Sequence, residues 1–343
     1  MDKFCLEVLI CFLFYSIMKI YNAEKGGETV DIRIGSLNCL NFGLGSSGKK
    51  DIDLMRRIIL EEKFDIVALQ EMKGPLALAQ LMNKLPNYWN GISELEVNDY
   101  AYIWNTKRVE LAHAKLDNGQ TRVFKPHIYK QYKLDKSKGE LPIKREPFYA
   151  RFFTVIPGLP RFEIRVINTH IRFSKGNDGK ENIVQIGENA LRKNEFGVLV
   201  NSIYSRISDK CYGKQDGEGS AITAYTVLLG DYNLNLPSSG VGAPYVDEFY
   251  TVHCGKRDDK SVVTLQSERT TLKKVSETED NDQTVYASNY DHFSFDKNRF
   301  NGTKYSVERI DSVTKYCDNN PEKHTEKISD HVPIKMTLSI KKG

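Results

Sequence analysis

The chain has 343 residues, of which 40% are hydrophobic, 10% aromatic and 27% charged. This composition excludes a disordered, collagen-like or disulfide-dense protein. The length is enough to bury a sizeable core, in one large α/β domain or in two smaller ones. With 49 Lys and Arg against 45 Asp and Glu, the formal net charge is only +4. The overall charge therefore neither implies nor excludes a polyanionic partner.

The chain begins with a short apolar run. Residues 4–18 are mostly apolar and are interrupted only by Glu7 and Ser16, and the run is shorter than the roughly 20 residues that a membrane span needs. It is typical of a secretory signal peptide that is cleaved after Ala23, which predicts a secreted or periplasmic protein. Two alternatives stay open. The run is retained as an anchor, or Met18 is the true start and the protein is cytoplasmic.

Four cysteines follow this leader, which covers residues 1–23. They are Cys39, Cys211, Cys254 and Cys317. Their scattered spacing matches no zinc-binding pattern. If the exported chain forms a disulfide, we expect it between Cys211 and Cys254; four scattered buried thiols are the alternative.

Strand-like apolar runs alternate with helical stretches from residue 30 onward. The predicted strands cover residues 32–37, 64–69, 100–104, 149–156, 163–169, 227–230, 262–275, 292–295 and 332–338. The predicted helices cover residues 51–62, 75–85 and 181–207, the last with a break near Gly197. Because strands outnumber helices, two stacked sheets covered by helices are the predicted architecture. We interpret residues 30–343 as one domain.

Most of the predicted strands end in polar residues that a structural role does not require. These residues are Asn38, Gln70, Glu71, His170, Asp231, Asn233, Asp291, Asp330 and His331. Each motif alone has a structural explanation, since Gly-Asp-x-Asn, for example, is a good turn sequence. Strand ends at one edge of a layered α/β protein converge on a common crevice, however. Their joint occurrence therefore favours a functional site.

The chemistry of this set indicates a phosphoesterase. Carboxylate and amide oxygens suit a hard cation such as Mg²⁺ or Ca²⁺ better than zinc. An Asp/His pair supplies an oriented imidazole that acts as a general acid or base. A metal, a water-positioning oxygen and an imidazole together predict metal-assisted hydrolysis of a phosphate ester.

The ordered motifs resemble the endonuclease/exonuclease/phosphatase superfamily, and within it the deoxyribonuclease I-like nucleases. The motifs are Asn38, Gln70-Glu71, Arg145-Glu146-Pro147, Asn168-Thr169-His170, Gly230-Asp231-Tyr232-Asn233, Tyr290-Asp291 and Ser329-Asp330-His331. The resemblance extends over nearly the whole body of the chain. It implies an α/β (α+β) fold, a four-layer sandwich of two mixed β-sheets flanked by helices.

The resemblance also implies which residues bind the metal and position the water. Glu71 would be the principal metal ligand, helped by Asn38 and Asp330. The ion would be Mg²⁺, with Ca²⁺ or Mn²⁺ as alternatives. Asp231 would orient or deprotonate the attacking water, and Asn233 would hold a phosphate oxygen.

The remaining site residues would surround the scissile phosphate. By the same resemblance, His331, oriented by Asp291, and His170 would flank that phosphate. Arg145 would bind a phosphate beside it, in a bidentate manner that lysine could not copy. The Arg145-Glu146-Pro147 segment favours the deoxyribonuclease I type over sphingomyelinase and inositol-phosphatase relatives.

One position departs from the family pattern. The nucleases carry a glutamate just before the strand that here contains Tyr100 and Tyr102, and it orients the first histidine. The matching residue in this chain is Asn98, with Glu96 and Asp99 nearby. The group that orients His170 is therefore left open among these three.

A basic segment lies in the middle of the chain. Between residues 121 and 153 the basic residues are Arg122, Lys125, Lys130, Lys133, Lys136, Lys138, Lys144, Arg145 and Arg151, and the interleaved aromatic residues are Phe124, Tyr129, Tyr132, Phe148 and Tyr149. Basic side chains with aromatic neighbours suit a nucleic-acid backbone. The alternative is a solvated hairpin whose aromatic side chains face the core.

Motifs and resemblance together predict a divalent-metal-dependent endonuclease that hydrolyses DNA with low sequence preference. RNA cleavage stays open. A sphingomyelinase-like or phosphoinositide phosphatase-like enzyme of the same fold is the alternative, and a non-catalytic binding module is a third hypothesis. We expect a monomer with no stable membrane association once the leader has been removed.

Overall fold

The computed structural model describes residues 28–43, 50–94, 99–116, 118–130, 143–173, 190–210, 223–234, 262–265, 268–273, 284–300 and 303–342. The predicted leader, the predicted Cys211–Cys254 pair, Glu96 and Asn98 lie outside these residues. Cys39 and Cys317 are buried free thiols. Within the described segments, no helix is both long and apolar enough to cross a membrane.

The strands and helices follow one another in mixed order. The strands are β1 (Thr29–Phe42), β2 (Ile66–Met72), β3 (Trp89–Ser93), β4 (Ala101–Asn105), β5 (Val109–Leu111), β6 (His113–Lys115), β7 (Thr121–Val123), β8 (His127–Ile128), β9 (Phe148–Thr154), β10 (Glu163–His170), β11 (Ala224–Asp231), β12 (Val262–Leu265), β13 (Asp291–Asp296), β14 (Lys304–Arg309) and β15 (Ile334–Lys341). The helices are α1 (Ile52–Glu61), α2 (Pro75–Met82), α3 (Ala190–Val198), a π-helical segment (Leu199–Tyr204), α4 (Ser205–Ser208), a 3₁₀ turn (Lys297–Phe300), α5 (Ser312–Tyr316) and α6 (Pro321–Lys327).

The larger strands form two mixed sheets. The first sheet has the order β14-β15-β1-β2-β4-β3, and the second has the order β12-β13-β11-β10-β9-β5, with β8 paired to β9. Each sheet contains one central parallel pair, β1 with β2 in the first and β10 with β11 in the second. The neighbouring pairs in both sheets are antiparallel. A small separate hairpin consists of β6 and β7.

The two sheets pack face to face over a common apolar core. This core combines Ile34 and Tyr102 of the first sheet with Val166, Leu229 and other residues of the second. β10 and β11 are buried on both faces, which is typical of parallel strands covered by helices. The sheets are therefore the two inner layers of the molecule.

Helices cover the outer face of each sheet. Helix α1 begins where the Asp51 side chain caps the backbone N–H of Leu54, and it buries Met55, Ile58 and Ile59. Those side chains pack with residues of β1, β2 and α2 in one cluster. On the opposite side, a second cluster joins α3 and the π-helical segment to β10 and β11. The result is a four-layer sandwich, as predicted.

Two predicted elements differ in detail from the structure. The single strand expected over residues 262–275 ends at Leu265. Thr271 and Leu272 instead form isolated bridges to His331 and Tyr286, so this part of the chain supports the loop that carries His331. The predicted break near Gly197 coincides with the change from α- to π-helical structure at Leu199.

Candidate active site

The carboxyl ends of the two central parallel pairs meet at one edge of the sandwich. Asn38 lies near the end of β1, and Glu71 lies near the end of β2. His170 and Asp231 are the last residues of β10 and β11, and they stand opposite each other in register. The Asn38 amide nitrogen donates to Asp231 Oδ2 at 3.0 Å and to Glu71 Oε1 at 3.2 Å. This amide therefore joins the two sheets within the site.

Glu71 presents a partly accessible carboxylate on a constrained backbone. Its φ angle is +57°, a left-handed conformation that costs energy in residues other than glycine. Besides the bond from Asn38, its Oε2 accepts a hydrogen bond from the Asn41 backbone N–H at 2.8 Å. The side chain is 18% exposed. Because a carboxylate has about four lone-pair sites, Glu71 retains acceptor capacity toward the crevice.

Asp231 is almost completely buried at the centre of the site, with 1% of its surface exposed. Its Oδ1 accepts from the backbone N–H of Asn233 at 2.8 Å. Burial, reinforced by the nearby Asp291, raises the pKa of Asp231 to about 7, although the charge of His331 opposes the rise. A carboxyl group with a pKa near neutral pH is suited to exchanging a proton with a bound water.

His331 is paired with Asp291. Its Nδ1 lies 2.8 Å from Asp291 Oδ2, and its Nε2 lies 3.8 Å from Asp231 Oδ2. Burial disfavours the charged ring, but the carboxylates of Asp291 and Asp231 outweigh it and raise the pKa of His331 well above its usual value. The imidazole is therefore a cation at neutral pH and can donate from Nε2.

His170 carries the opposite protonation state. Burial, together with the Arg145 guanidinium, lowers the pKa of His170 well below its usual value. Arg145 Nη1 lies 2.6 Å from His170 Nδ1. Because a guanidinium can only donate, Nδ1 is the acceptor and the ring proton is on Nε2. That nitrogen lies 3.4 Å from Asp231 Oδ2 and 3.8 Å from Glu71 Oε1.

The orientation of His170 depends on a residue that the family pattern did not suggest. Among the three candidates in the sequence, Asp99 forms an ion pair with Lys73, and Glu96 and Asn98 lie outside the described residues. Arg145 is the group found at Nδ1. The arginine predicted to bind a phosphate therefore also fixes the tautomer of the histidine.

Asn233 and Asp330 are the two remaining predicted site residues. Asn233 has a φ angle of +47°, and its amide nitrogen donates to the Ile171 carbonyl at 2.8 Å and to Asp231 Oδ2 at 3.3 Å. Asp330 immediately precedes His331, and its backbone carbonyl accepts from the Leu272 N–H at 2.8 Å. Its carboxylate accepts from Ser329 Oγ at 3.5 Å.

Two supporting residues were not identified from the sequence. Lys50, 9% exposed, donates from Nζ to the Ile328 carbonyl at 2.8 Å. Burial lowers its pKa, while the charges of Asp330 and Glu71 oppose that effect. His324 is fully buried and contacts the Ser329 carbonyl through Nδ1 at 2.6 Å. Both side chains hold residues 328–331, yet nothing in the local sequence links them to that loop.

The donor set fits a hard divalent cation. Ligand atoms of Asp231, Asp291 and His331 lie within 4.8 Å of one another, and the Glu71 and Asn38 side chains adjoin them. Because His331 is protonated, its ring is not available as a ligand, and the hard oxygen donors of the crevice are the carboxylates of Glu71, Asp231 and Asp291. Mg²⁺ is usually held by one or two carboxylates together with water and substrate phosphate. The residues present thus fit such an ion.

The molecule also has a groove of about 750 Å³. Its walls come from α2, β3 and residues 125–127, and they include Met82, Ile92, Lys125 and His127. Phe148, three residues after Arg145, lines it as well. The volume is in the range of ligand-binding clefts, and the lining combines apolar side chains with Lys125 and the acidic Glu94.

The aromatic residues of the basic segment are mostly in the core. Tyr129, Phe148 and Tyr149 are all buried, and Phe148 stacks on Tyr102 at a ring-centroid distance of 5.1 Å. The alternative in which these side chains face the core is therefore correct for them. Arg151 is also buried and pairs with Glu163 at 2.6 Å, so it is a structural residue.

Comparisons with known proteins identify the fold. No protein-family model and no curated protein matches the chain. Among solved structures, an endonuclease/exonuclease/phosphatase protein from Bacteroides vulgatus is 14% identical, with 91% of this chain and 100% of that chain covered and a TM-score of 0.52. A relative from Bacteroides thetaiotaomicron is 13% identical, with 91% and 99% covered and a TM-score of 0.51.

A third match is TDP2 from D. rerio in complex with a single-strand DNA product. It is 13% identical, with 90% of this chain and 98% of that chain covered and a TM-score of 0.51. At these identities the likeness shows the fold. The chain has the endonuclease/exonuclease/phosphatase fold, which is the deoxyribonuclease I-like four-layer sandwich that the sequence motifs indicated.

Proposed function

We propose that the chain is a divalent-metal-dependent phosphodiesterase that cleaves DNA internally with little sequence preference. The observation that carries this proposal is the convergence of Glu71, Asp231, the Asp291–His331 pair and the Arg145–His170 pair on one crevice. Such a set offers a cation site, a proton acceptor and a charged proton donor within a few ångströms. Hydrolysis of a phosphodiester needs these three functions.

Each side chain of the crevice has its own role in the proposed hydrolysis. Asp231 accepts a proton from the attacking water, for which its pKa of about 7 is well suited. His331, held by Asp291, donates from Nε2 to the oxygen that carries the developing charge. Arg145 and His170 form a polar wall of the crevice beside the phosphate. A divalent cation held by Glu71, Asn38 and Asp330 would supply Lewis-acid stabilisation of the phosphoryl oxygens.

Two further observations support a nucleic-acid substrate. The groove lined by α2, β3 and residues 125–127 carries Lys125, whose positive charge suits a polyanionic strand. In addition, the structurally similar TDP2 from D. rerio was solved with a single-strand DNA product.

Plasmid nicking tests the proposed function directly. Supercoiled DNA is incubated with the full chain in Mg²⁺ or in EDTA, beside Glu71→Ala and the control Glu61→Ala. Glu61 is an exposed acid that pairs with Arg57 on α1, outside the crevice. We expect metal-dependent nicking by the wild type and by the control. Glu71→Ala should lose at least 100-fold in rate, because the principal ligand is removed.

The opposite result has a clear meaning. A folded wild-type protein that does not nick DNA in Mg²⁺, Mn²⁺ or Ca²⁺ contradicts the nuclease proposal. The apolar side chains in the groove, Met82 and Ile92 among them, favour a phospholipid or phosphoinositide substrate as the second candidate. Phosphate or headgroup release from sphingomyelin and phosphoinositide vesicles then tests that candidate.

A further inference from the structure

Helix α3 carries two buried charged side chains that contact the active-site segments. Arg192 is 2% exposed and Glu195 is 3% exposed. The two residues are three positions apart, so they lie on the same face of the helix about one turn from each other. Charged side chains are almost never this buried unless they have partners. Their partners are backbone groups of segments that carry catalytic residues.

Glu195 joins the Arg145 segment to the His170 segment. Its Oε1 accepts a hydrogen bond from the Lys144 backbone N–H at 2.8 Å, and its carboxylate also accepts from the backbone N–H of Arg172. Lys144 immediately precedes Arg145, and Arg172 follows His170 by two residues. One carboxylate therefore anchors both chain segments whose side chains meet at 2.6 Å.

Arg192 reaches a third segment. Its guanidinium donates to the backbone carbonyl of Asn233 and lies over the Phe173 ring, 5.0 Å from the centroid. The backbone N–H of Asn233 in turn donates a hydrogen bond to Asp231 Oδ1. The same helix face thus fixes the turn that carries the buried aspartate.

Helix α3 and the π-helical segment that continues it pack against the second sheet. Phe196, Val200 and Tyr204 are buried and pack with Ile167 and Leu228 of β10 and β11. A rigid element that contacts three catalytic segments can keep their side chains in a productive arrangement. Such precision matters because a displacement of about 1 Å can cost about 100-fold in rate.

We propose that Arg192 and Glu195 are positioning residues that clamp the Arg145, His170 and Asn233 segments around the reacting phosphate. The inference rests on the proposed phosphodiesterase function. Neither residue touches the reacting atoms; each acts through backbone bonds. Of the two, Glu195 sets the contact between Arg145 and His170, and Arg192 sets the orientation of the turn after β11.

The test compares Glu195→Ala, Glu195→Gln and Arg192→Lys with the control Arg299→Ala. Arg299 binds the Ser208 carbonyl and Asp209 at the far end of the same helical tract. Its substitution therefore removes contacts that stabilise the helical tract but involve none of the three active-site segments. Two measurements are made on the full chain. One is kcat and KM on a labelled DNA oligonucleotide, and the other is the ¹⁵N chemical shifts of the His170 ring.

The clamp predicts a graded result. Glu195→Ala should lower kcat by about 10- to 100-fold and shift the His170 Nδ1 resonance, because Arg145 no longer lies fixed against that nitrogen. Glu195→Gln keeps the acceptor for Lys144 and should fall between Glu195→Ala and the wild type. Arg192→Lys should lower kcat and leave the His170 resonance unchanged. Arg299→Ala should lower only the melting temperature.

Wild-type kcat and an unshifted His170 resonance in folded Glu195→Ala would overturn the clamp. If Glu195→Ala does not fold, Glu195→Gln decides, since wild-type values for both measurements in that variant contradict the inference equally. Failure of the proposed function is recognised separately. The wild type would then cleave no DNA, while the His170 resonance still reports whether Glu195 fixes the Arg145–His170 contact.

Discussion

His170 and His331 lie on either side of Asp231, and the surroundings give them opposite charges. His331 contacts the Asp291 carboxylate and stays protonated, whereas His170 contacts the Arg145 guanidinium and stays neutral. Pairs of titratable groups whose environments push their pKa values apart mark acid and base roles. In the proposed reaction the charged His331 is thus the proton donor of the pair, and the neutral His170 is a hydrogen-bonding group.

The Asp291–His331 pair should act as one unit. Asp291→Asn removes the charge that keeps the imidazole protonated and oriented, and we expect kcat to fall by at least 100-fold, as for other buried carboxylate–histidine pairs. His331→Gln should cause a loss of similar size. In the double variant the two losses should not add, because either change alone disables the same proton donor.

Steady-state kinetics of the wild type, the two single variants and the double variant measure these losses in kcat. Circular dichroism shows that each protein is folded. Multiplicative losses in the double variant would mean that Asp291 and His331 act independently, which is contrary to the 2.8 Å contact.

At the level of elements, the site depends on how closely β10 and β11 approach at their carboxyl ends. Gly230 has a φ angle of +136°, and a Cβ atom there would lie 1.9 Å from the Thr169 carbonyl oxygen. Thr169 and Gly230 immediately precede His170 and Asp231, which are paired in register. The glycine of the Gly-Asp-x-Asn motif is therefore required by the strand spacing.

Gly230→Ala should destabilise the protein by about 3 kcal/mol or more, because the added methyl group forces the two central strands apart. Gly119→Ala is the matched control. Gly119 also has a positive φ, +80°, but a Cβ atom there would meet nothing within 4 Å, so only about 1 kcal/mol of backbone strain is expected. Urea unfolding of both variants measures the difference. Equal destabilisation would show that the contact with Thr169 is not the cause.

The elements found from the sequence are those with a strong apolar pattern. β1, β2, β10 and β11 are long, buried runs, and α1 has its apolar residues at helical spacing. The sequence does not reveal β14 because this strand lies at a sheet edge and has only exposed and half-buried residues, Tyr305 among the exposed ones. The short strands β5 to β8 lack any pattern long enough to detect.

For the site, the sequence indicated the residues but not all of their partners. Motif order was enough to place Glu71, Asp231 and His331 together. The contacts of His170 with Arg145, and of Lys50 with the Ile328 carbonyl, join residues 25 and 278 positions apart. Such contacts depend on tertiary packing, and no local periodicity predicts them.

For the whole molecule, His324 is important because it links the loop of Asp330 and His331 to the free energy of unfolding. This buried side chain bridges Ser312 Oγ at 2.7 Å and the Ser329 carbonyl at 2.6 Å. Its Nδ1–H donates to the carbonyl, and when the ring is neutral Nε2 accepts from the serine hydroxyl. Burial lowers the pKa of His324 to about 4, compared with about 6.5 in an unfolded chain.

This difference predicts a loss of stability on acidification. Between about pH 6.5 and pH 4 the unfolded chain binds a proton at His324 that the folded chain does not, so the free energy of unfolding falls as the pH falls through this range. The loss from this one group is about 3 kcal/mol. His324→Gln cannot titrate and should not show this contribution, although the variant is less stable at neutral pH.

Urea unfolding of the wild type and His324→Gln at several values between about pH 7 and pH 4 isolates this contribution, because the other titrating groups are common to both proteins. The stability gap between the two proteins should narrow as the pH falls, and most of the change should occur below pH 6.5. Parallel curves would show that His324 takes up its proton over the same pH range in the folded and the unfolded chain. In that case the charged ring would still donate from Nδ1 to the Ser329 carbonyl, and His324 would contribute no pH dependence to the free energy of unfolding.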